Sequence, residues 1–94
     1  MASYVYIVTN KSNSVLYIGM SNDISLRIES HKKKLVEKSF TAKYNCTKLV
    51  HIEEFENFEE AKYREFQLKN WNRKWKNELI EKNNPGYLDL SEDL

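Results

Sequence analysis

A chain of 94 residues, 40% hydrophobic and 31% charged, has the size and composition of one globular domain around a single core. No apolar run approaches the roughly 20 residues needed to span a bilayer. The opening Met1-Ala2-Ser3-Tyr4 lacks the basic start and apolar stretch of a secretory signal. One cysteine, Cys46, cannot form an internal disulfide, and no Cys/His cluster has zinc spacing. A cytoplasmic protein with no membrane partner is the expectation. The net charge of +1 hides an uneven distribution. Arg27 to Lys48 carries seven basic and two acidic residues (+5), Glu53 to Glu65 two basic and six acidic (−4), and Phe66 to Lys76 four basic and none acidic (+4). The remainder from Asn77 returns to −4, with one basic and five acidic residues. Two basic segments split by an acidic one can fold into a cationic face suited to a phosphate backbone, or into an ordinary mixed surface.

Ser3 to Thr9 alternates and is rich in tyrosine, valine and isoleucine, predicting a strand. A polar turn, Asn10 to Ser14, leads into a second strand over Val15 to Met20, so the two form a hairpin. Ser21-Asn22-Asp23 is a helix start, and the helix is expected to run to about Val36. Glu37 to Thr47 reads as a lysine-bearing connection, and Lys48 to Phe55 as a third strand. Asn57 caps a second helix, with Glu59 and Glu60 in its first turn, running to about Trp71. A further helix reaches about Lys82 and is stopped by Asn83-Asn84-Pro85-Gly86, leaving a loose acidic tail. The order β-β-α-β-α-α predicts an α+β domain, a small sheet with helices against it. Pattern alone leaves the direction of the third strand open.

Polar residues fall on the helix faces that should be buried. At roughly 100° per residue, Ile24, Ile28 and Leu35 lie within about 40° of one another, His31 about 20° outside them and Arg27 about 60° from Ile24. Arg27 and His31 are i and i+4 and therefore neighbours. In the second helix, Glu65 lies between Phe58 and the pair Ala61 and Leu68, a carboxylate within an apolar stripe. An internal salt bridge between Arg27 and Glu65 would explain this, although such pairs stabilise weakly. The sharper explanation is a partly wet cleft receiving Arg27, His31 and Glu65 from helices and Tyr6 and Tyr17 from strands. Its chemistry would suit phosphodiester cleavage: a carboxylate for Mg²⁺ or Mn²⁺, forked arginine donors for phosphate, and a phenol as base towards water.

The pair Tyr4-Val5-Tyr6 and Tyr17-Ile18-Gly19, followed by Arg27, His31 and Glu65, resembles the GIY-YIG nuclease superfamily, closest to its small stand-alone bacterial members. These are related to the catalytic module of nucleotide excision repair nucleases. The resemblance covers about residues 4 to 88, and it implies an antiparallel three-stranded sheet and a nuclease site with a single Mg²⁺ or Mn²⁺. It implies that Tyr6 and Tyr17 serve around the attacking water, that Arg27 stabilises the transferring phosphate, and that Glu65 binds the metal. His31 would bind or protonate, and Gly19 would keep the strand end open to the scissile phosphate. Tyr4 departs from the first motif's glycine, and Asn70, Asn72 and Asn77 all remain open as a further site residue.

The expected activity is endonucleolytic cleavage of DNA in repair or processing, with structured or single-stranded nucleic acid as further candidate substrates. The chain has no room for a separate DNA-binding domain, so weak specificity or a targeting partner protein is expected. The alternatives are a catalytically weak nucleic-acid-binding module that keeps the nuclease fold, and a purely protein-binding domain. Lys32, Lys33 and Lys34, with Lys43 and Tyr44, would line the approach, or simply face solvent. Lys69 and Arg73 are favoured for nucleic-acid binding over Trp71 and Trp75, since Trp75 and Leu79 continue the stripe of Leu68 and suit a core. His51 is expected to be structural and Cys46 a small buried hydrophobe.

Overall fold

The computed structural model describes residues 2–34 and 40–94. Strand β1 (Ser3–Thr9) lies at the centre of a sheet of order β2-β1-β3, with β2 (Leu16–Ser21) and β3 (Lys48–Phe55) both antiparallel to it. Tight hairpin geometry dictates the first pairing. The second gives the third strand the direction that pattern left open.

The β1 and β3 ladder carries one irregularity. His51 stands opposite Ile7 and Leu49 opposite Val8, which leaves Val50 as an extra residue. Such a bulge bends a strand and increases its twist.

Alternation along β1 feeds two cores, one on each face of the sheet. Val5 and Ile7 pack with Ile18, Val50, Ala61, Leu68 and Ile80, under α3 (Phe58–Asn70) and α4 (Arg73–Asn83). Tyr6 and Val8 face the other way and pack with Ile24, Ile28, Cys46 and Leu49, under α1 (Ile24–Lys33). Buried Cys46 thus takes the apolar role expected of it.

The helix starts are where the polar caps place them. The Asp23 carboxylate accepts from Leu26 N, and the Asn57 side-chain oxygen accepts from Glu60 N at 2.9 Å. Asn72 caps α4 in the same way, accepting from Trp75 N at 2.9 Å, so one residue separates the α3 cap at Trp71 from the α4 start.

Several expectations need correction. The first helix ends at Lys33, where Lys34 takes a left-handed conformation (φ 52°) and its N–H bonds to His31 O; the expected continuation through Leu35 and Val36, like Glu37 to Ser39 of the connection, lies outside the described residues. The rest of that connection holds a short helix, α2 (Phe40–Lys43). Trp75 is 51% exposed, meeting Trp71 edge-to-face at 5.9 Å instead of entering the core. Phe58 is likewise exposed, so the buried stripe of α3 is centred on Ala61 and Leu68 and Glu65 sits at its margin.

The acidic tail is docked. Asp89 accepts from Leu49 N at 3.2 Å and from Lys32 Nζ at 2.5 Å, and Leu90, opening a 3-10 turn (Leu90–Asp93), packs on the α1-side core. Its anchor is buried Asn84, which donates to Val50 O and Leu88 O and accepts from Leu88 N. Among the described residues, no helix is long and apolar enough to cross a membrane.

Candidate active site

The site begins with a contact across the hairpin. Tyr6 on β1 is paired with Gly19 on β2, and both residues are buried. A Cβ on Gly19 would lie 2.5 Å from the Tyr6 hydroxyl oxygen and 2.6 Å from Cζ, so the phenol occupies the space a side chain would need. This corrects the expectation for Gly19: its bareness seats Tyr6 rather than leaving an opening for phosphate.

His31 on α1 comes down onto the same ring. Its Nε2 is 2.8 Å from the Tyr6 hydroxyl and its Nδ1 is 2.9 Å from Thr41 Oγ1 on α2. Its ring stands 5.6 Å from that of Tyr6 and 5.9 Å from that of Tyr17. Tyr17, Arg27, Ser30, His31, Lys34, Phe40 and Thr41 border a cleft of about 410 Å³, whereas Tyr6 is fully buried and does not line it. The Tyr17 hydroxyl has no hydrogen-bond partner among the described residues.

Electrostatics gives these groups distinct protonation states. Burial pushes the Tyr6 phenol up to about 12, with the Glu65 carboxylate among the smaller contributions in the same direction; the Arg27 guanidinium beside it acts the other way without prevailing. Burial, helped by the Arg27 charge, holds His31 below its ordinary value, so its imidazole is neutral at pH 7. A neutral imidazole has one donor and one acceptor nitrogen. With a cation beside the phenol oxygen, the phenol proton points away from it, towards His31 Nε2. In that arrangement Nδ1 is the nitrogen that carries the imidazole proton, with Thr41 Oγ1 as its acceptor.

Glu65 on α3 is half-buried and does not border the cleft; its charge acts on Tyr6 from the α3 side. Lys69 Nζ is its ion partner, at 3.5 Å, and the Arg27–Glu65 bridge is absent among the described residues. Among those residues no group of three or more His, Cys, Asp and Glu side chains forms a metal cage. A single carboxylate is nevertheless the donor set that suits Mg²⁺ or Mn²⁺, which keep several waters. Glu65 fits that role.

The expected nucleic-acid contacts divide. Lys69 borders a second pocket, and Lys43 lies 5.4 Å over the exposed ring of Tyr44, which meets Phe40 in a tilted contact at 4.7 Å beside the cleft. Lys33 pairs with Glu29 at 2.5 Å, away from the cleft; the neighbouring Lys34 borders it instead. Arg73 is committed to the fold, donating to Ser14 O at 3.0 Å, to Asn13 O and to Asn77 Oδ1 at 3.0 Å, so it fastens α4 to the β1–β2 turn. Asn70 donates to Phe66 O, Asn72 is a cap and Asn77 accepts from Arg73, which keeps all three within their helices. His51 is structural, as expected: its Nε2 is 2.7 Å from Glu53, which also receives Arg64 at 2.8 and 3.1 Å. Sequence reasoning named Lys34 only within its lysine run and missed Thr41 and Phe40. Phe40 and Tyr44, an i, i+4 aromatic pair, gave a signal for a helical turn; Thr41 gave none.

Comparison with known proteins decides the family. The model of the GIY-YIG catalytic domain matches residues 2–79. The chain belongs to the GIY-YIG family. A UPF0213 protein of Clostridium perfringens is 40% identical over 78 residues, spanning 83% of this chain and 82% of that one. One of Staphylococcus haemolyticus is 38% identical over 82 residues, with 83% and 93% covered. The solution NMR structure of a UPF0213 protein from Bacillus halodurans superimposes with a TM-score of 0.60 at 28% identity, over 98% of this chain and 96% of that one. Membership places the chain in a nuclease family, with hydrolase chemistry.

Proposed function

We propose that this GIY-YIG protein is a divalent-metal-dependent endonuclease that hydrolyses phosphodiester bonds of DNA, acting in the cytoplasm in repair or processing. The observation that carries the reading is the 2.8 Å hydrogen bond between the buried Tyr6 hydroxyl and His31 Nε2, with His31, Arg27 and Tyr17 bordering one cleft.

A phenol held near 12 is a poor base by itself at neutral pH. Hydrogen-bonded to a neutral imidazole, it can take a proton from water while passing its own to Nε2, so Tyr6 is the relay and His31 the acceptor. Thr41 holds the imidazole in the tautomer that leaves Nε2 open to receive. Arg27 presents forked donors to the phosphate oxygens as charge builds on them. The Tyr17 hydroxyl positions the phosphate or the water. Mg²⁺ or Mn²⁺ held by Glu65 would polarise the phosphate and stabilise the leaving oxygen.

Nicking of plasmid, single-stranded and branched DNA with Mg²⁺ or Mn²⁺ tests this. Arg27→Ala and Glu65→Ala are expected to lose on the order of 100-fold or more in rate. Equal activity in the wild type and both variants would sink the proposal, while salt-sensitive binding without cleavage would favour the catalytically weak binding module.

A further inference from the structure

A second pocket, of about 310 Å³, lies against the cleft and shares Tyr17 and Phe40 with it as a common wall; Leu16, Ile18, Lys69 and Lys76 complete it. It sits at the outer edge of β2, the edge strand of the sheet, where the α1–α2 side meets the α3–α4 side. Its two ammonium groups come from different helices. Lys69 leans on Glu65, whereas Lys76 is half-buried beside Leu16 and Ile18 with no ion pair among the described residues. An ammonium at such a pocket with no carboxylate against it is open to an anionic ligand.

We propose that this pocket is a second phosphate subsite, taking the backbone phosphate next to the one at Arg27 on the same nucleic-acid strand. The inference deepens the nuclease reading and rests on it for the strand's position. Tyr17 and Phe40 are the wall the two pockets share, so one strand can run from one pocket into the other. Each pocket supplies cations on its own side of that wall: Arg27 and Lys34 in the cleft, Lys69 and Lys76 beyond it. The partly exposed edge of Phe40 lies between them, where the sugar and base of the linking nucleotide would pass. Arg73, one turn before Lys76, is fastened to the β1–β2 turn, so Lys76 is the α4 cation left to meet a ligand here.

The test is the salt dependence of binding of fluorescein-labelled oligothymidine, read by anisotropy without added metal. Each lost phosphate contact lowers the slope of log K against log salt by roughly 0.7 for a single strand. Lys76→Gln is expected to weaken binding several-fold and to lower the slope by about that one contact, Lys76→Arg to restore both, and Lys74→Gln, exposed and outside the pocket, to leave the slope unchanged. Lys69→Gln supplies a second reading, confounded only by release of Glu65. A wild-type slope in a folded Lys76→Gln overturns the subsite, as does failure of the wild type to bind at low salt. A lowered slope in a protein that cleaves no DNA with Mg²⁺ or Mn²⁺ would retain the subsite and remove the nuclease reading.

Discussion

With the Tyr6 hydroxyl oxygen 2.5 Å and its Cζ 2.6 Å from the Cβ position of Gly19, alanine there must push the phenol off β2 and away from His31 Nε2. Both residues are buried, so the ring has little room to retreat. Gly19→Ala is therefore expected to cost about 1–3 kcal/mol in urea unfolding, typical of overpacking. It should cost far more in catalysis, on the order of 100-fold in kcat/KM, because the displaced hydroxyl no longer meets its acceptor. Thr41 makes a subtler demand. Thr41→Val keeps the shape and removes the acceptor for Nδ1–H, freeing His31 to exchange tautomers, whereas Thr41→Ser keeps the oxygen. The ¹⁵N shifts of His31 should report a mixed tautomer in the valine variant alone, with a lower plateau of kcat/KM. The ascending limb of the pH profile should lie below the ordinary imidazole value of 6.5, because burial and the Arg27 charge both oppose protonation of His31. Activity thus falls only on acidification past that limb.

At the scale of elements, β3 is bound to α3 by an ion cluster on the sheet face away from the cleft. Glu53 takes His51 Nε2 at 2.7 Å and two guanidinium nitrogens of Arg64, whose third donor reaches Gln67 at 2.7 Å and whose Cζ lies 5.1 Å from the Trp71 ring. Burial pushes the Glu53 carboxyl up, but the bonds from His51 and Arg64 outweigh it and hold the group down at about 2. A depressed carboxyl contributes stability that is complete above its unfolded value and lost as pH falls through the folded one. Acid unfolding should accordingly include a component between pH 4.5 and about 2 that Glu53→Gln removes. At neutral pH the same variant strands Arg64 and should cost roughly 2 kcal/mol. Because Arg64 adjoins Glu65, loosening this bond is expected to raise the metal concentration needed for half-maximal activity. A cluster serving only stability would lower the urea midpoint and leave that concentration unchanged.

The whole molecule places the cleft of Tyr17, Arg27 and His31 on one face of a three-stranded sheet and Glu65 on a helix of the other. What was legible in the sequence was local: the strand periodicities, the caps at Asp23 and Asn57, and the helical phases that set Arg27 and His31 beside an apolar stripe. What was not legible depends on partners distant in the chain. Nothing near Arg73 announces the carbonyls of Asn13 and Ser14, nothing near His31 announces Thr41, and the pattern of Trp75 suits a core although its ring lies half-exposed against Trp71. The acidic tail is the largest such case, since composition reads Asp89 to Leu94 as solvated. Yet Asp89 satisfies the N–H of buried Leu49 and holds Lys32, next to His31, while Leu90 closes the core beneath α1. Deleting residues 89–94 should then expose that N–H and the apolar surface under Leu90, lowering stability by roughly 2–3 kcal/mol in urea unfolding. Asp89→Ala should carry about half of this loss, whereas Glu92→Gln and Asp93→Asn, exposed and outside the hydrogen bonds to Leu49 and Lys32, should carry almost none. A tail acting through charge alone would rank these variants equally, and one that hung loose would leave the midpoint of the deletion unchanged.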